Sequence, residues 1–369
     1  MNPNLVPPLE PTPVPGPLWL FHVLLVFTFF LHALFMNLAL GGTLLAAVAQ
    51  LGGRTPERLT LARRLMGVNG YGISFAITTG IAPLLFVQVL YQQYFYAATI
   101  LIGEMWLLFV ALLMLGYYAV YLYKFRGTPV RGAGGTGWLV VAAGLFLIIA
   151  MVHVSVHLIH VQPGKWAAIA AHPWSILADR TYWPRLLHFV LAALGFSALV
   201  ATWWAVRQAA RGKDIELNRS IARFGWKWTL WTTLLQVVDG LVLLAVLPGD
   251  VLLGVMRGGI ATLLPLGLAF VLGLGMLMML ARSADPTAKP GLVTGVLATM
   301  VLTIAVMAIT RHQVRMLYLA PATAATTIPT APQWGNFALF ALLLVAGLAT
   351  VAYMVRLVQR SGATGGEAA

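Results

Sequence analysis

Nine apolar runs divide this chain, most of them about 20 residues or longer, the length that ~30 Å of hydrocarbon requires of a crossing helix. They cover roughly 18–50, 67–91, 97–123, 137–161, 186–206, 224–246, 259–281, 290–310 and 336–356. Inside a bilayer every backbone N–H and C=O must find its partner within the segment, so runs this long fold as α-helices. Barrel strands would be half as long and would alternate apolar with polar residues, a pattern the chain lacks. The connections are short. The expected fold is an all-α integral membrane protein, a nine-transmembrane-helix bundle over 17–358 with no appended soluble domain. A Pro-rich extracytoplasmic arm at 1–16 and a disordered cytoplasmic tail at 359–369 are expected to flank it.

Basic residues orient the bundle. With the N-terminus extracytoplasmic and the C-terminus cytoplasmic, 17 of the 23 Lys and Arg fall on the cytoplasmic side, where such residues are retained. The outer side keeps Lys165, Arg180, Arg185, Arg257, Arg311 and Arg315. The expected location is a bacterial inner (cytoplasmic) membrane, with the lipid bilayer as the first partner. The formal charge of +13 follows from this topology and is no nucleic-acid signal. The absence of cysteine excludes thiolate metal sites, iron–sulfur ligation, disulfides and covalent c-type haem attachment.

The eight histidines, His22, His32, His153, His157, His160, His172, His188 and His312, all fall toward the outer side in this topology. An ionisable ring in hydrocarbon is costly, so such a gathering points to bound metal or a proton path. In the fourth run, His153, His157 and His160 share one helix face, since offsets of four and seven residues return close to the starting angle. The rise from His153 to His160 is ~10 Å, too far for one iron but suited to two haems at two depths. The alternatives are hydrogen bonding within the bundle and, for the i, i+4 pair His153 and His157, a copper or zinc centre. His32 and His188 sit among bulky apolar residues, the usual company of an axial ligand or a hydrogen-bonded network. His22 and His312 near the boundary and His172 in a loop read as ordinary polar residues, with the exception that His312 adjoins Arg311 and Arg315.

Glu104 and Asp239 are the carboxylates within spans, and each must pair with a cation, stay protonated or relay protons. Arg257, Arg311 and Arg315 stand at outer span ends, where they either hold anionic groups such as haem propionates or snorkel to the interface. Met256 and Met307 are candidate sixth ligands or packing residues. Trp166, Trp174, Tyr182 and Trp183 mark 162–184 as a connection in the headgroup zone.

Over roughly residues 20–250 the chain resembles subunit I of the cytochrome bd quinol oxidases. The resemblance is carried by His32 and the apolar run to Gly41-Gly42, and by Gly72-Ile73-Ser74-Phe75-Ala76 leading to Thr79-Gly80. Gly103-Glu104, Gln162-Pro163 and His188 follow in the same order. It implies haem b, two or more, near the outer side. By resemblance His32 matches the ligand of the oxygen-side haem, His188 the ligand of the low-spin haem, Glu104 a glutamate linked with protons, and Arg257 and Arg311 arginines near propionates. The family works as a heterodimer, which implies a second bd-like membrane subunit.

The departures carry information too. The long loop used for quinol oxidation is cut to Pro248–Arg257, and Thr310-Arg311-His312-Gln313 replaces the signature of the eighth span. Leu112 and Ala308 stand near positions where the family has glutamates. His153, His157 and His160 have no equivalents there. The resemblance therefore implies a divergent branch that has lost the quinol site and exchanges electrons with a c-type cytochrome on the outer face. In this reading His188 pairs with His153 or His157 on one haem, and His32 with another histidine of the fourth run on a second. A bis-His or His/Met pair conducts electrons, whereas an open axial position permits oxygen reduction. Two other readings remain, a haem-free quinone-binding or anchor subunit and a proton-coupled transporter using Glu104, Asp239 and the histidines.

Overall fold

The computed structural model describes residues 12–53, 55–126, 134–324 and 328–364. Apart from one isolated β-bridge, its regular structure is helical throughout these residues. The helices are α1 (Leu18–Leu51), α2 (Pro56–Leu90), α3 (Gln92–Leu101), α4 (Gly103–Arg126), α5 (Gly134–Val161) and α6 (Trp166–Ala171). They continue with α7 (Tyr182–Ala210), α8 (Ile215–Ala245), α9 (Gly249–Arg257), α10 (Ile260–Ala281), α11 (Pro290–Thr323) and α12 (Trp334–Thr364). Among the described residues nine helices are long and apolar enough to cross a membrane: α1, α2, α4, α5, α7, α8, α10, α11 and α12.

Several helices outrun their apolar runs. α2 starts at Pro56 rather than 67, α8 at Ile215 rather than 224, and α11 continues to Thr323 rather than 310. Hydropathy marks only the part that needs hydrocarbon, whereas the hydrogen-bond ladder, once nucleated, propagates readily into polar residues. The run at 97–123 is not one helix. The backbone leaves helical geometry at Tyr91 (φ −132°, ψ 36°) and again at Ile102 (φ −121°, ψ 39°), which isolates α3 ahead of α4. Most of the expected connection Pro248–Arg257 is the helix α9, with Asp250 in its first turn and Arg257 in its last, the charge order a helix dipole favours. α12 reaches Thr364, so residues 359–364, expected in a disordered tail, are helical. Residues 1–11 of the expected arm and 365–369 of the expected tail lie outside the described residues.

The chain divides into two compact units, one within residues 22–324 and one combining 12–21 with 328–364. In the first, α4–α5, α7–α8 and α10–α11 form the closest-packed hairpins. α7 is central, with 56% of its most apolar window buried against 17% for α2. One apolar cluster gathers Leu40, Met66, Ile73, Tyr123 and Phe146, and a second gathers Phe196, Leu199, Trp226, Met276 and Met300. Small residues let the backbones meet: a Cβ on Gly41 of α1 would collide with the Ala193 carbonyl of α7. Buried polar ties fix the register. Ser197 Oγ donates to the Asn37 carbonyl at 2.9 Å, and Asn69 Nδ2 donates to Thr43 Oγ1 at 2.6 Å and to the Ala39 carbonyl at 3.1 Å. In the second unit, Val14 N donates to the Pro329 carbonyl and Ala331 N to the Val14 carbonyl, both at 2.8 Å. Phe21 meets Phe337 edge-on with ring centroids 6.1 Å apart.

Candidate functional site

Alternating helix directions bring the start of α1 and the ends of α2, α5 and α11 together, and aromatic contacts record the meeting. Tyr91, at the junction of α2 and α3, faces His22 of α1, His160 of α5 and His312 of α11 at centroid distances of 6.3, 5.5 and 6.5 Å. His22 Nδ1 lies 3.0 Å from His312 Nε2. The two histidines read from sequence as ordinary boundary residues are thus partners.

Three histidines share a hydrogen-bonding pattern. His32 Nδ1 lies 2.9 Å from the Ala76 carbonyl of α2, His153 Nδ1 lies 3.0 Å from the Ile149 carbonyl one turn back, and His188 Nδ1 lies 3.0 Å from Asp239 Oδ2 of α8. A carbonyl only accepts, so Nδ1 carries the proton in His32 and His153; with Nδ1–H donated to Asp239 as well, a neutral ring at each of the three positions presents its Nε2 lone pair. That is the arrangement of an imidazole held ready for a metal. His32 packs on Gly80, where a Cβ would come within 2.8 Å of the ring. It is also close enough to His153 and Arg311 to interact electrostatically. His153 is exposed on α5 and meets Phe109 and Trp106 of α4 at 4.8 and 6.0 Å.

His188 lines an apolar cavity between α1, α7, α8, α10 and α11, together with Arg185, Met307 and Arg311. No α5 residue borders it. The geometry ties His188 to Asp239 of α8 and brings neither His153 nor His157, its expected partners, to the wall of this cavity. The α5 stripe serves three environments. His153 looks at α4, His157 lies between two arginines, and His160, 2% exposed, sits against Tyr91 and Tyr94. Neither ring nitrogen of His160 has a hydrogen-bond partner among the described residues. Among the described residues no group of three or more His, Asp or Glu converges as a metal-ion site.

The electrostatics are unbalanced. Arg185 and Arg315 are buried and Arg311 is half-buried, yet no described carboxylate forms an ion pair with any of them. Arg185 Nη1 approaches His157 Nε2 at 3.5 Å and Arg311 Nη2 approaches His157 Nδ1 at 3.3 Å. A neutral imidazole has one lone pair, so it can accept from only one of them. The Nε of all three arginines lacks a partner. Arg311 and Arg315 lean instead on the faces of Phe29 and Tyr91 at 4.4 and 5.5 Å. Buried cations short of acceptors call for an anionic group.

Other expected residues stand apart. Glu104 is exposed in the first turn of α4, Arg257 is exposed at the end of α9, and His172 is exposed in the connection after α6. That connection is ordered by Asp179, which accepts from Lys165, from Gln162 at 3.0 Å and from Thr181 Oγ1 at 2.6 Å. Burial works against its ionisation, but those donors outweigh it and hold the carboxyl at about 2. Arg185 and Tyr91 were not singled out from sequence as site residues. The available signal was an arginine three residues before His188, one helical turn away in an apolar helix.

The fit to a haem can be judged on these donors. An apolar wall, an imidazole with its Nδ1 tied, and unpaired guanidiniums at the edge suit a planar apolar ring with anionic arms. No family model matches the chain, and no curated protein matches it. A solved structure does: a chain of the bd oxidase from Geobacillus thermodenitrificans superposes with a TM-score of 0.72 at 13% identity, covering 95% of this chain and 100% of that one. The fold of this chain is accordingly bd-oxidase-like, with its chemistry to be argued from its own residues.

Proposed function

We propose that the chain is a haem-b-binding membrane subunit of a bd-oxidase-like respiratory electron-transfer complex. It would work beside a second bd-like membrane subunit in a bacterial inner membrane, with its N-terminus outside, and exchange electrons with a c-type cytochrome on the outer face. The observation that carries this reading is the shared state of His32, His153 and His188, each with Nδ1 tied to an oxygen and Nε2 free.

His188 would hold one haem at the cavity wall, with Arg185 and Arg311 taking its anionic arms. His32 and His153 would hold a second, on the α2 and α4 side of the bundle. Haem, when bound, supplies one-electron transfer, and oxygen chemistry where an axial position is open. Asp239 acts as a positioning residue: it fixes the His188 tautomer and raises its basicity. Glu104, on the outward face of α4, is the proposed proton-exchange group toward solvent or the partner subunit.

A pyridine haemochrome assay and a reduced-minus-oxidised spectrum of the purified protein test this. About two b-type haems per chain are expected, with one lost in His188→Ala and the other in His32→Ala. No b-type band under reduction would reject the proposal and leave the haem-free quinone-binding reading.

A further inference from the structure

At the end of the helices away from the histidines, a groove of about 720 Å³ runs between the start of α2 and the first half of α8. Its α8 wall contains Arg223, Lys227, Trp231 and Leu235, spaced four residues apart, so they fall along one stripe of the helix. From Arg223 to Leu235 the rise is ~18 Å. Along that stripe the chemistry passes from cation to indole to aliphatic. On the opposite wall α2 supplies the cation Arg58 and, three residues on, the aliphatic Leu61, while Phe224 and Trp228 add aromatic surface from α8.

The cations are only partly neutralised. Arg223 is paired with Asp285 at 2.9 Å, and Glu57 contributes one carboxylate to the wall. Arg58 donates to the Gly52 carbonyl and lies over Phe224 at 5.6 Å, with no carboxylate partner, and Lys227 is exposed and forms no ion pair among the described residues. Trp231 is 61% exposed. Tryptophan at a membrane interface, basic groups outside it and aliphatic wall inside it is the graded surface of a bilayer leaflet.

We propose that this groove is a binding site for an anionic phospholipid. Its phosphodiester headgroup would sit between Arg58 and Lys227, its glycerol region on Trp228 and Trp231, and an acyl chain along Leu61 and Leu235. A zwitterionic lipid brings its own ammonium to two cations and gains less. Free phosphate lacks the chain that the inner half of the groove accommodates.

The test uses the full-length protein in detergent, titrated with phosphatidylglycerol, phosphatidylcholine or inorganic phosphate, with thermal melting and native mass spectrometry as readouts. Phosphatidylglycerol is expected to raise the melting temperature and to remain bound, and the other two are expected to do neither. Arg58→Gln/Lys227→Gln should weaken phosphatidylglycerol binding on the order of 30-fold, the factor two basic groups at a membrane surface represent. Lys289→Gln, on the same side but outside the groove, should leave it unchanged. If the double variant does not purify as a folded protein, Lys227→Gln alone, at an exposed and unpaired position, carries the test with about a five-fold loss. Equal response to phosphatidylcholine, response to phosphate alone, or unchanged binding in the variants would overturn the proposal.

Discussion

His188 Nδ1 and Asp239 Oδ2 meet at 3.0 Å across the α7–α8 hairpin, a buried carboxylate holding an imidazole whose other face borders an apolar cavity. Neither residue explains the other's burial alone. A carboxylate in a membrane helix needs a donor, and an imidazole that is to offer Nε2 needs its Nδ1 proton accepted.

Replacing Asp239 by Ala removes that acceptor and leaves the ring volume in place. Haem retention at the His188 site is expected to fall on the order of 10–100-fold, as for other lost ligand-orienting partners. Any remaining haem should show a higher midpoint potential, because a less basic imidazole stabilises the oxidised iron less. Haemochrome content and an optical redox titration measure the two effects, and unchanged values of both would show that Asp239 does not orient a ligand.

Arg185→Met separates the ligand-bound from the ligand-free protein. Without an anionic partner Arg185 is a buried cation facing an already crowded His157. The substitution should then stabilise the haem-free protein by about 2 kcal/mol. The same change should reduce haem content, since one holder of the anionic arms is gone. Melting curves of haem-free and haem-loaded protein should move in opposite directions.

Asp179 provides a pH dependence with a defined sign. Its folded value of about 2 lies below the ordinary aspartate range, so between the two the unfolded chain binds more protons than the native one. The stabilisation is complete above about pH 4 and is lost as pH falls toward 2. Asp179→Asn should cost about 1–2 kcal/mol at neutral pH, after allowance for solvent screening, and nearly nothing at pH 2. Limited proteolysis of the 162–181 connection, followed against pH, reads this directly.

Gly41→Ala should destabilise the protein by about 3 kcal/mol, because the added methyl meets the Ala193 backbone rather than a yielding side chain. Gly144→Ala, in α5, meets nothing within 4 Å and should be neutral or slightly stabilising. Thermal melting of both variants in detergent compares them.

Much of the architecture was legible in the residues themselves. Nine apolar runs specify nine crossing helices, because in hydrocarbon a segment satisfies its own backbone or fails to insert. The one-sided placement of His22, His160 and His312 followed from alternation alone, and their mutual contacts through Tyr91 agree with it. Hydropathy could not show where the polar ends of α2, α8 and α11 stop, nor that the chain breaks at Ile102, since those boundaries rest on hydrogen bonding rather than on partition into lipid.

Partnership was left to the tertiary structure. A helical stripe places His153, His157 and His160 on one face, but neighbouring helices decide that they see Phe109, two arginines and two tyrosines respectively. Likewise His188 and Asp239 are 51 residues apart, and only the closure of the α7–α8 hairpin joins them. The physical reason is that insertion into a membrane is governed by each segment's own composition, while the chemistry of a buried polar side chain is set by which donor or acceptor a different helix brings within 3 Å of it.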